Sequence, residues 1–521
     1  MNPLCTRIAL VALVLLALPA FGQQKVIRIA PQSNLTVLDP HFTTATVTRS
    51  HGYMVYDTLF GTDASSRVQP QMVDKWTVSA DRKTWTFTLR TGLEFHDGQP
   101  VTSEDVIASL ERWAKKDSLG QRLAAATERW EAVDARTFRL LLKEPFGMVL
   151  EALGKPGANV PFILPKRIAT TSADKQIEDA TGSGPYIFKR DEWKPGSLAV
   201  YVKNAKYRPR AEPPSGTAGG KRVFVDRIEW QILRDAQTQV NALVAGEIDL
   251  VEQPAHEHYP ALRANPDITV HDNKSGAQVV LRFNHLHPPF NDARIRRAAL
   301  VALSPEPFLK AQYVSPDLYR LCASLYTCGM PYETKAGMEG LLRGDIKRAR
   351  ELLKDAGYDG TPIVILQPTD LATIAKLPTV AAQQLRQAGF KVDLLAMDWN
   401  ALLSRRAKKD PPAQGGWSIF MTTLNGLDVA NPVVSLPMNA SCDKAWPGWP
   451  CDPALEKLRE DFLHAAKDAD RKKVADAAQQ RALKIGTHAA LGEYFQPVAT
   501  RKNITGLLNA PVYVYWNLDK K

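Results

Sequence analysis

Cysteine is scarce, with five residues in a chain of 521. Cys5 stands in front of an apolar run from Ile8 to Phe21, and the other four fall into two close pairs, Cys322 with Cys328 and Cys442 with Cys451. Neither pair has the Cys-x-x-Cys spacing that favours a four-thiolate zinc site, so disulfides are the stronger reading, and they suit an oxidising compartment. The apolar run is shorter than the roughly 18 to 20 residues of a membrane span. It follows one basic side chain, Arg7, and ends at Ala20-Phe21-Gly22, with small residues at the two positions a signal peptidase reads. Residues 1–22 are therefore expected to be a cleaved signal peptide. Cys5 precedes the apolar core and cannot carry a lipoprotein's lipid, so the mature chain is expected in a periplasm, unanchored.

Other absences narrow the function. There is no internal repeat, no Gly-x-Ser-x-Gly elbow, no Walker-type phosphate loop and no zinc-protease helix. Net charge is +11, but the basic residues are scattered and no long Lys/Arg block interleaves with aromatics, which argues against nucleic-acid binding. Arg294, Arg296 and Arg297 are expected on a solvated helix face. About 500 mature residues exceed one core, so two or three domains are expected.

The richest stretch runs from Trp76 to Trp113. Trp85, Phe87 and Leu89 alternate with polar neighbours, as in a half-buried strand. Asp97-Gly98 makes a turn, Thr102 and Asp105 have capping-box spacing, and Val106, Leu110 and Trp113 recur on one helix face. Strands are predicted over Leu198–Val202, Val223–Ile232, Gln278–Asn284 and Val392–Trp399. Helices are predicted over Ala236–Ala245, Asp292–Leu303, Ile346–Ala356 and Val380–Ala388, and Pro209–Arg222 reads as a surface loop. From Gly492 to Trp516 short aromatic strands are expected. The alternation predicts an α/β protein with mixed sheets.

The words Leu-Arg-x-Gly, Phe-His-Asp-Gly, Gly-Ser-Gly-Pro-Tyr at 182–186, Gly-Glu-Ile-Asp at 246–249, Asn284 with PPFNDARIRRAAL, and ARELLKDAGY at 349–358 occur in one order along the chain. In this the chain resembles the family 5 extracytoplasmic solute-binding proteins, the peptide, nickel and glutathione receptors of ABC importers. The resemblance implies a two-lobed periplasmic binding protein fold of type II with a two-strand hinge. Lobe I would span 23–277 with an extra subdomain at about 51–180, lobe II 278–492, and residues 493–521 would return to lobe I. The crossings would lie near Gln278–Asn284 and Glu493–Pro497. It also implies a monomer that captures an oligopeptide or other small polar solute, delivers it to membrane permease subunits, and does no catalysis. No cofactor is expected.

The resemblance also marks ligand positions. Dipeptide-binding members hold the ligand carboxylate with an arginine where this chain reads Gln367-Pro368-Thr369-Asp370, and the ligand amine with an aspartate where it has Asn425, with Asp428 three residues on. A simple dipeptide receptor is therefore not expected. Trp399 matches an aromatic placed against the ligand, with core packing as its alternative role. Thr44 and Thr46, in the run Thr43–Thr48 at a strand-to-helix junction, are candidate anion donors or a helix cap. His256 with His258, and His285 with His287, could hold a metal in a nickel-chelate or haem carrier, but read first as surface loops. Ser441 and Lys444 match the Ser-x-x-Lys word of penicillin-recognising enzymes without its companions, and His96 beside Asp97 reads as a turn residue rather than a general base.

Overall fold

A computed structural model describes residues 24–272, 276–313, 315–465 and 467–521; the expected signal peptide lies outside them. Two mixed sheets organise the chain. The first has seven strands in the order Tyr186–Phe188, Leu198–Lys203, Arg227–Gln231, Val26–Ala30, Leu250–Val251, Val498–Arg501, Ile268–His271. Val26–Ala30 runs parallel to both its neighbours, and the remaining pairs are antiparallel. The second sheet has six strands, in the order Tyr319–Arg320, His488–Tyr494, Ala277–Phe283, Ile419–Asn425, Ile363–Pro368, Val392–Met397.

The chain leaves the first sheet after His271, enters the second at Ala277, and returns between Tyr494 and Val498. Gln278–Phe283 lies wholly inside the second sheet, so the outward passage falls a few residues earlier than the resemblance implied. That strand is buried along nearly its whole length and is paired on both sides within the second lobe.

A separate antiparallel sheet of Val73–Val78, Thr84–Leu89, Thr137–Leu142 and Thr127–Ala132 carries the hairpin read from the sequence. Trp85, Phe87 and Leu89 are buried and their neighbours in the strand are not, because successive side chains point to opposite faces. The helix Ser103–Ala114 starts with a complete capping box: Thr102 N–H donates to Asp105 Oδ2 at 2.8 Å, and Asp105 N–H donates to Thr102 Oγ1 at 3.4 Å. Val106, Leu110 and Trp113 seal the buried face against the same core. His96 then ties hairpin to first sheet. Its backbone N–H donates to Gly182 O at 2.7 Å, its Nδ1 accepts from Gly182 N at 3.3 Å, and its Nε2 meets Gly184 O at 3.2 Å. Phe-His-Asp-Gly and Gly-Ser-Gly-Pro-Tyr are thus two halves of one contact. Burial lowers His96 to a pKa of about 4, and both ring nitrogens are occupied by backbone.

Gly246 ends the helix Ala236–Ala245 with φ of 79°, a left-handed cap that favours glycine. Asp249 accepts from Arg28 N–H at 2.9 Å and pairs with Lys520 at 2.8 Å, stitching the first sheet to the C-terminus. Both cysteine pairs form disulfides, Cys322–Cys328 and Cys442–Cys451.

Four sequence expectations need correction. Arg296 is buried, with its guanidinium donating to Ile485 O at 2.7 Å and to Phe290 O; only Arg294 of the three fits a solvated face. The loop 209–222 is not wholly superficial, since Lys221 is enclosed, pairs with Asp57 at 2.7 Å and lies 4.8 Å from the Trp516 ring. Val223 and Val225 lie outside the strand, which spans only Arg227–Gln231. Finally, residues 512–516 form no strand; Tyr515 and Trp516 are buried by packing on aromatic neighbours, Trp516 lying 6.0 Å from Tyr53 and Tyr515 6.0 Å from Trp230.

Candidate functional site

The lobes meet across a cleft at the crossing segments. Gly276, Ala277, Thr423, Asn425 and Tyr494 form one wall, and Thr46, Arg49, Gln253, Gln496, Pro511 and Tyr513 form the other. The space they enclose is about 70 Å³. That holds about two waters and falls far below the roughly 300–1,000 Å³ of pockets that engulf a small ligand. The structure is a tightly closed form.

Arg49 and Asp428 join the walls. Arg49 sits in the helix Thr46–Val55, where nine of the ten residues are buried, and its Nη1 lies 3.3 Å from Asp428 Oδ2, with the two side chains 9% and 5% exposed. Asp428 Oδ1 also accepts from Ala158 N–H at 2.9 Å, so both oxygens face lobe I. Each charge neutralises the other, which is how a buried pair avoids the cost of an isolated ion. Around them the walls offer amides and hydroxyls. Gln253 Nε2 donates to Tyr513 OH at 3.0 Å, Tyr494 OH donates to Thr423 Oγ1 at 3.2 Å, and Gln496 Nε2 donates to Tyr259 OH at 2.7 Å. Tyr494 stacks on Tyr313 with centroids 4.3 Å apart.

Two carboxyls sit just behind these walls. Glu493 accepts from Cys328 N–H at 2.8 Å and Arg320 Nε at 2.7 Å, and burial raises its pKa. Glu252, 1% exposed, accepts from Gln32 N–H at 2.7 Å through one oxygen while the other is unpartnered, and burial raises its pKa from 4.5 to about 8. It is therefore protonated at neutral pH.

Of the residues singled out from the sequence, Thr46 and Asn425 line this space, and Asp428 reaches it through Arg49. Thr44 lies at the lobe boundary, where its Oγ1 accepts from Arg406 Nη2 of lobe II at 3.0 Å. The threonine run does not cap the helix with a side chain at Ala45; Thr43 Oγ1 accepts from Ala45 N–H at 3.2 Å instead. Asn425 uses both ends of its amide, Nδ2 donating to Pro511 O and Oδ1 accepting from Leu427 N–H at 3.0 Å. Trp399 does not line the space. It is buried in the lobe II core, with its backbone N–H on Asp370 Oδ1 at 2.7 Å.

The histidine pairs separate. His256 is buried rather than on a surface loop and turns from a short 3₁₀ helix to Gln496 Oε1 at 3.1 Å while His258 stays half-buried; in the other pair His287 meets Lys409 O at 2.7 Å while His285 Nε2 is buried without a partner among the described residues. Among the described residues, the clusters with metal-ligand geometry are Glu144 with Glu460 and His464, and Glu493 with Cys322 and Cys328, whose sulfurs are bonded to each other. Neither contains a histidine of these pairs. Ser441 Oγ donates to Asn439 Oδ1 at 2.5 Å in a one-turn 3₁₀ segment, not to Lys444 from a buried helix. Sequence reasoning missed Arg49, Gln253, Gln496 and Tyr513. Arg49 did leave a signal, since an arginine at i+3 from Thr46 shares its helix face.

Comparison with known proteins agrees with this fold. The profile of bacterial extracellular solute-binding proteins, family 5, middle region, matches residues 67–446. A probable peptide ABC transporter periplasmic-binding protein of Sinorhizobium fredii is 39% identical over 514 residues, covering 97% of this chain and 96% of the relative. A glutathione-binding protein of Salmonella typhimurium is 28% identical over 392 residues, covering 73% and 71%. Among solved structures, a binding protein of A. tumefaciens in complex with agropinic acid superposes with a TM-score of 0.80 at 22% identity, covering 95% and 99%. A Pseudoalteromonas dipeptide-binding protein in complex with Met-Leu does so with a TM-score of 0.80 at 19% identity, covering 95% and 100%. The chain belongs to the bacterial extracellular solute-binding proteins of family 5.

Proposed function

We propose that this protein is the periplasmic receptor of an ABC importer, closing its two lobes around a short peptide or peptide-like solute and presenting it to the permease without chemical change. The observation that carries the reading is the cleft itself, whose walls come from both lobes and whose closure is held by contacts made only when the lobes meet: Arg49–Asp428, Arg406–Thr44, Asn425–Pro511, and Thr36–Asn400 at 3.0 Å. A ligand touching both walls stabilises the closed form by its differential affinity. The small volume means that the bound form holds the lobes slightly further apart, with Thr46, Arg49, Asn425 and Asp428 redirected to the ligand.

The close relative named for peptide transport supports the peptide class. The polar, amide-rich walls suit a solute with backbone-like donors and acceptors, and the neutralised Arg49–Asp428 pair suits a zwitterion able to replace each partner. Native mass spectrometry of the protein purified from periplasm tests this directly. A co-purified peptide or peptide-like mass, released on unfolding, is expected. Covalent labelling by a β-lactam probe, lost in Ser441→Ala, would instead establish the penicillin-recognising reading and end this one.

A further inference from the structure

The lobes also meet along a second seam, where the antiparallel subdomain of lobe I lies against the helix Pro453–His464 of lobe II. Ser118 Oγ donates to Val433 O at 3.2 Å, and Arg122 reaches Glu456 and Glu460 of that helix. Phe146, just past the strand Thr137–Leu142, is buried in one apolar core with Phe462 and Leu463. A Cβ on Gly147 would come within 3.1 Å of Leu463 O, so this turn is pressed against the end of the helix. Packing thereby sets Glu144, at the start of the turn, beside His464. Three ligand atoms converge there. Glu460 and His464 are four residues apart and share a helix face. His464 Nε2 lies 3.1 Å from Glu460 Oε1 and 3.9 Å from Glu144 Oε1, and one ligand atom from each residue falls within 4.8 Å of the others. The longer distance is the informative one. It is too long for a hydrogen bond, and Glu144 makes no other side-chain hydrogen bond or ion pair among the described residues. Two ligands bonded at about 2.0–2.2 Å to one tetrahedral ion stand roughly 3–4 Å apart, which both separations satisfy.

The surroundings suit a cation. Two carboxylates and a neutral imidazole offset two positive charges, and the carbonyls that end the helix add partial negative charge beside His464. Arg122 holds Glu460 by its other oxygen, Oε2, and so leaves Oε1 aimed at His464, as a hydrogen-bonded partner orients a ligating carboxylate. The imidazole favours zinc and its neighbours over magnesium and calcium, which prefer oxygen alone. All three side chains are at least 40% exposed, so water can reach the ion and complete its shell. We propose that Glu144, Glu460 and His464 form a binding site for a divalent transition-metal ion of the zinc class, and that the ion clasps the subdomain to lobe II. None of the three residues lines the solute cleft. Glu144 comes from lobe I and the other two from lobe II, so only the closed protein offers the full ligand set, and an ion that binds this form better shifts the lobes toward it.

The test uses the full mature chain, stripped of metal by a chelator, in titration calorimetry with Zn²⁺ at neutral pH, and with Mg²⁺ and Ca²⁺ as oxygen-preferring controls. One zinc ion per chain is expected, undisturbed by an equal concentration of either control. His464→Gln and Glu144→Gln should each weaken it at least about tenfold, since even outer partners of a ligand contribute that much. Both residues are exposed, so the metal-free thermal midpoints should not move, which separates a lost ligand from a damaged fold. Zinc binding that both variants spare would show an adventitious ion elsewhere and overturn the site. Binding lost in His464→Gln but untouched in Glu144→Gln would place the ion on the helix alone and overturn the clasp between lobes. Displacement by Ca²⁺ or Mg²⁺ at equal concentration would reduce the cluster to ordinary surface acidity and overturn the zinc class. Each of these outcomes leaves solute capture in the cleft untouched.

Discussion

Asn425 shows how much one atom decides. Its side-chain amide donates to Pro511 O across the cleft while its oxygen starts the turn Gly426–Val429. A carboxylate there could serve the turn but not the proline carbonyl, because it has no donor. Asn425→Asp is therefore expected to weaken closure by about 1–3 kcal/mol, the cost of setting an acceptor against an acceptor in a partly buried site. Urea unfolding monitored by tryptophan fluorescence checks this, and an unchanged midpoint would contradict it. Glu252 gives a residue-level prediction in pH. The folded form keeps its proton up to about pH 8, whereas the unfolded chain releases it near pH 4.5. Stability from this group is thus complete below 4.5 and declines as pH rises toward 8. Glu252→Gln cannot ionise, so it should match the parent at pH 4.5 and exceed it at pH 8 by on the order of a few kcal/mol. Equal stabilities at both values would show that burial does not hold the proton. Little of this was visible in the chain. Asn425 could be placed by resemblance, but its partner stands 86 residues away, and Arg406 is one of many basic residues until Thr44, Phe420 and Trp446 surround it.

At the level of elements, the hairpin and helix from Trp76 to Trp113 were legible because each cue is local. Alternation, turn and capping box lie within a few residues of one another and agree. Thr102→Ala removes the box's acceptor and is expected to destabilise by about 0.5–2 kcal/mol, lowering the thermal midpoint while leaving any ligand-induced shift intact. Loss of that shift would link the helix to the cleft. The failures are equally physical. Residues 512–516 carry the apolar pattern of a strand because Tyr515 and Trp516 are buried, but they are buried on rings of neighbouring elements rather than beside a ladder; periodicity reports burial and is silent about pairing. Arg296 was misplaced for a related reason, since the carbonyls of Phe290 and Ile485 that satisfy it come from a loop and from the end of another helix, which no helical pattern can foresee. What sequence words conveyed best was scaffold, as the His96–Gly182 contact illustrates.

Across the whole molecule, closure joins surfaces of different kinds. Arg122 of the antiparallel subdomain reaches Glu456 and Glu460 of lobe II, and Lys376 pairs with Glu257 at 3.0 Å between more exposed side chains. The exposed pairs are screened by salt, and the buried Arg49–Asp428 pair much less so. Arg122→Glu sets three carboxylates together and is expected to open the ligand-free protein, seen as a larger radius of gyration by small-angle scattering; an unchanged radius would mean that other contacts suffice. Acid should act globally as well. His41, His51, His96 and His256 are held neutral by burial, with pKa values lowered to about 3 to 4. Their stabilisation is full above 6.5 and is lost as pH falls toward 4, because unfolding lets them charge. Titration of urea stability over that interval should show protein-wide uptake of several protons on unfolding, and a flat profile would refute it.

The two passages between the sheets have a mechanical consequence. Ala277–Phe283 and His488–Tyr494 are neighbours in one sheet, and their continuations Ile268–His271 and Val498–Arg501 are neighbours in the other. Two antiparallel tethers side by side act as a door hinge: they permit swinging about one axis and oppose sliding and twisting of the leaves. Every solute, whatever its length, therefore meets the same facing residues in the same order. Selectivity becomes a question of how far the door can shut, and a solute too bulky for the full swing stops it short of the shape a permease would inspect.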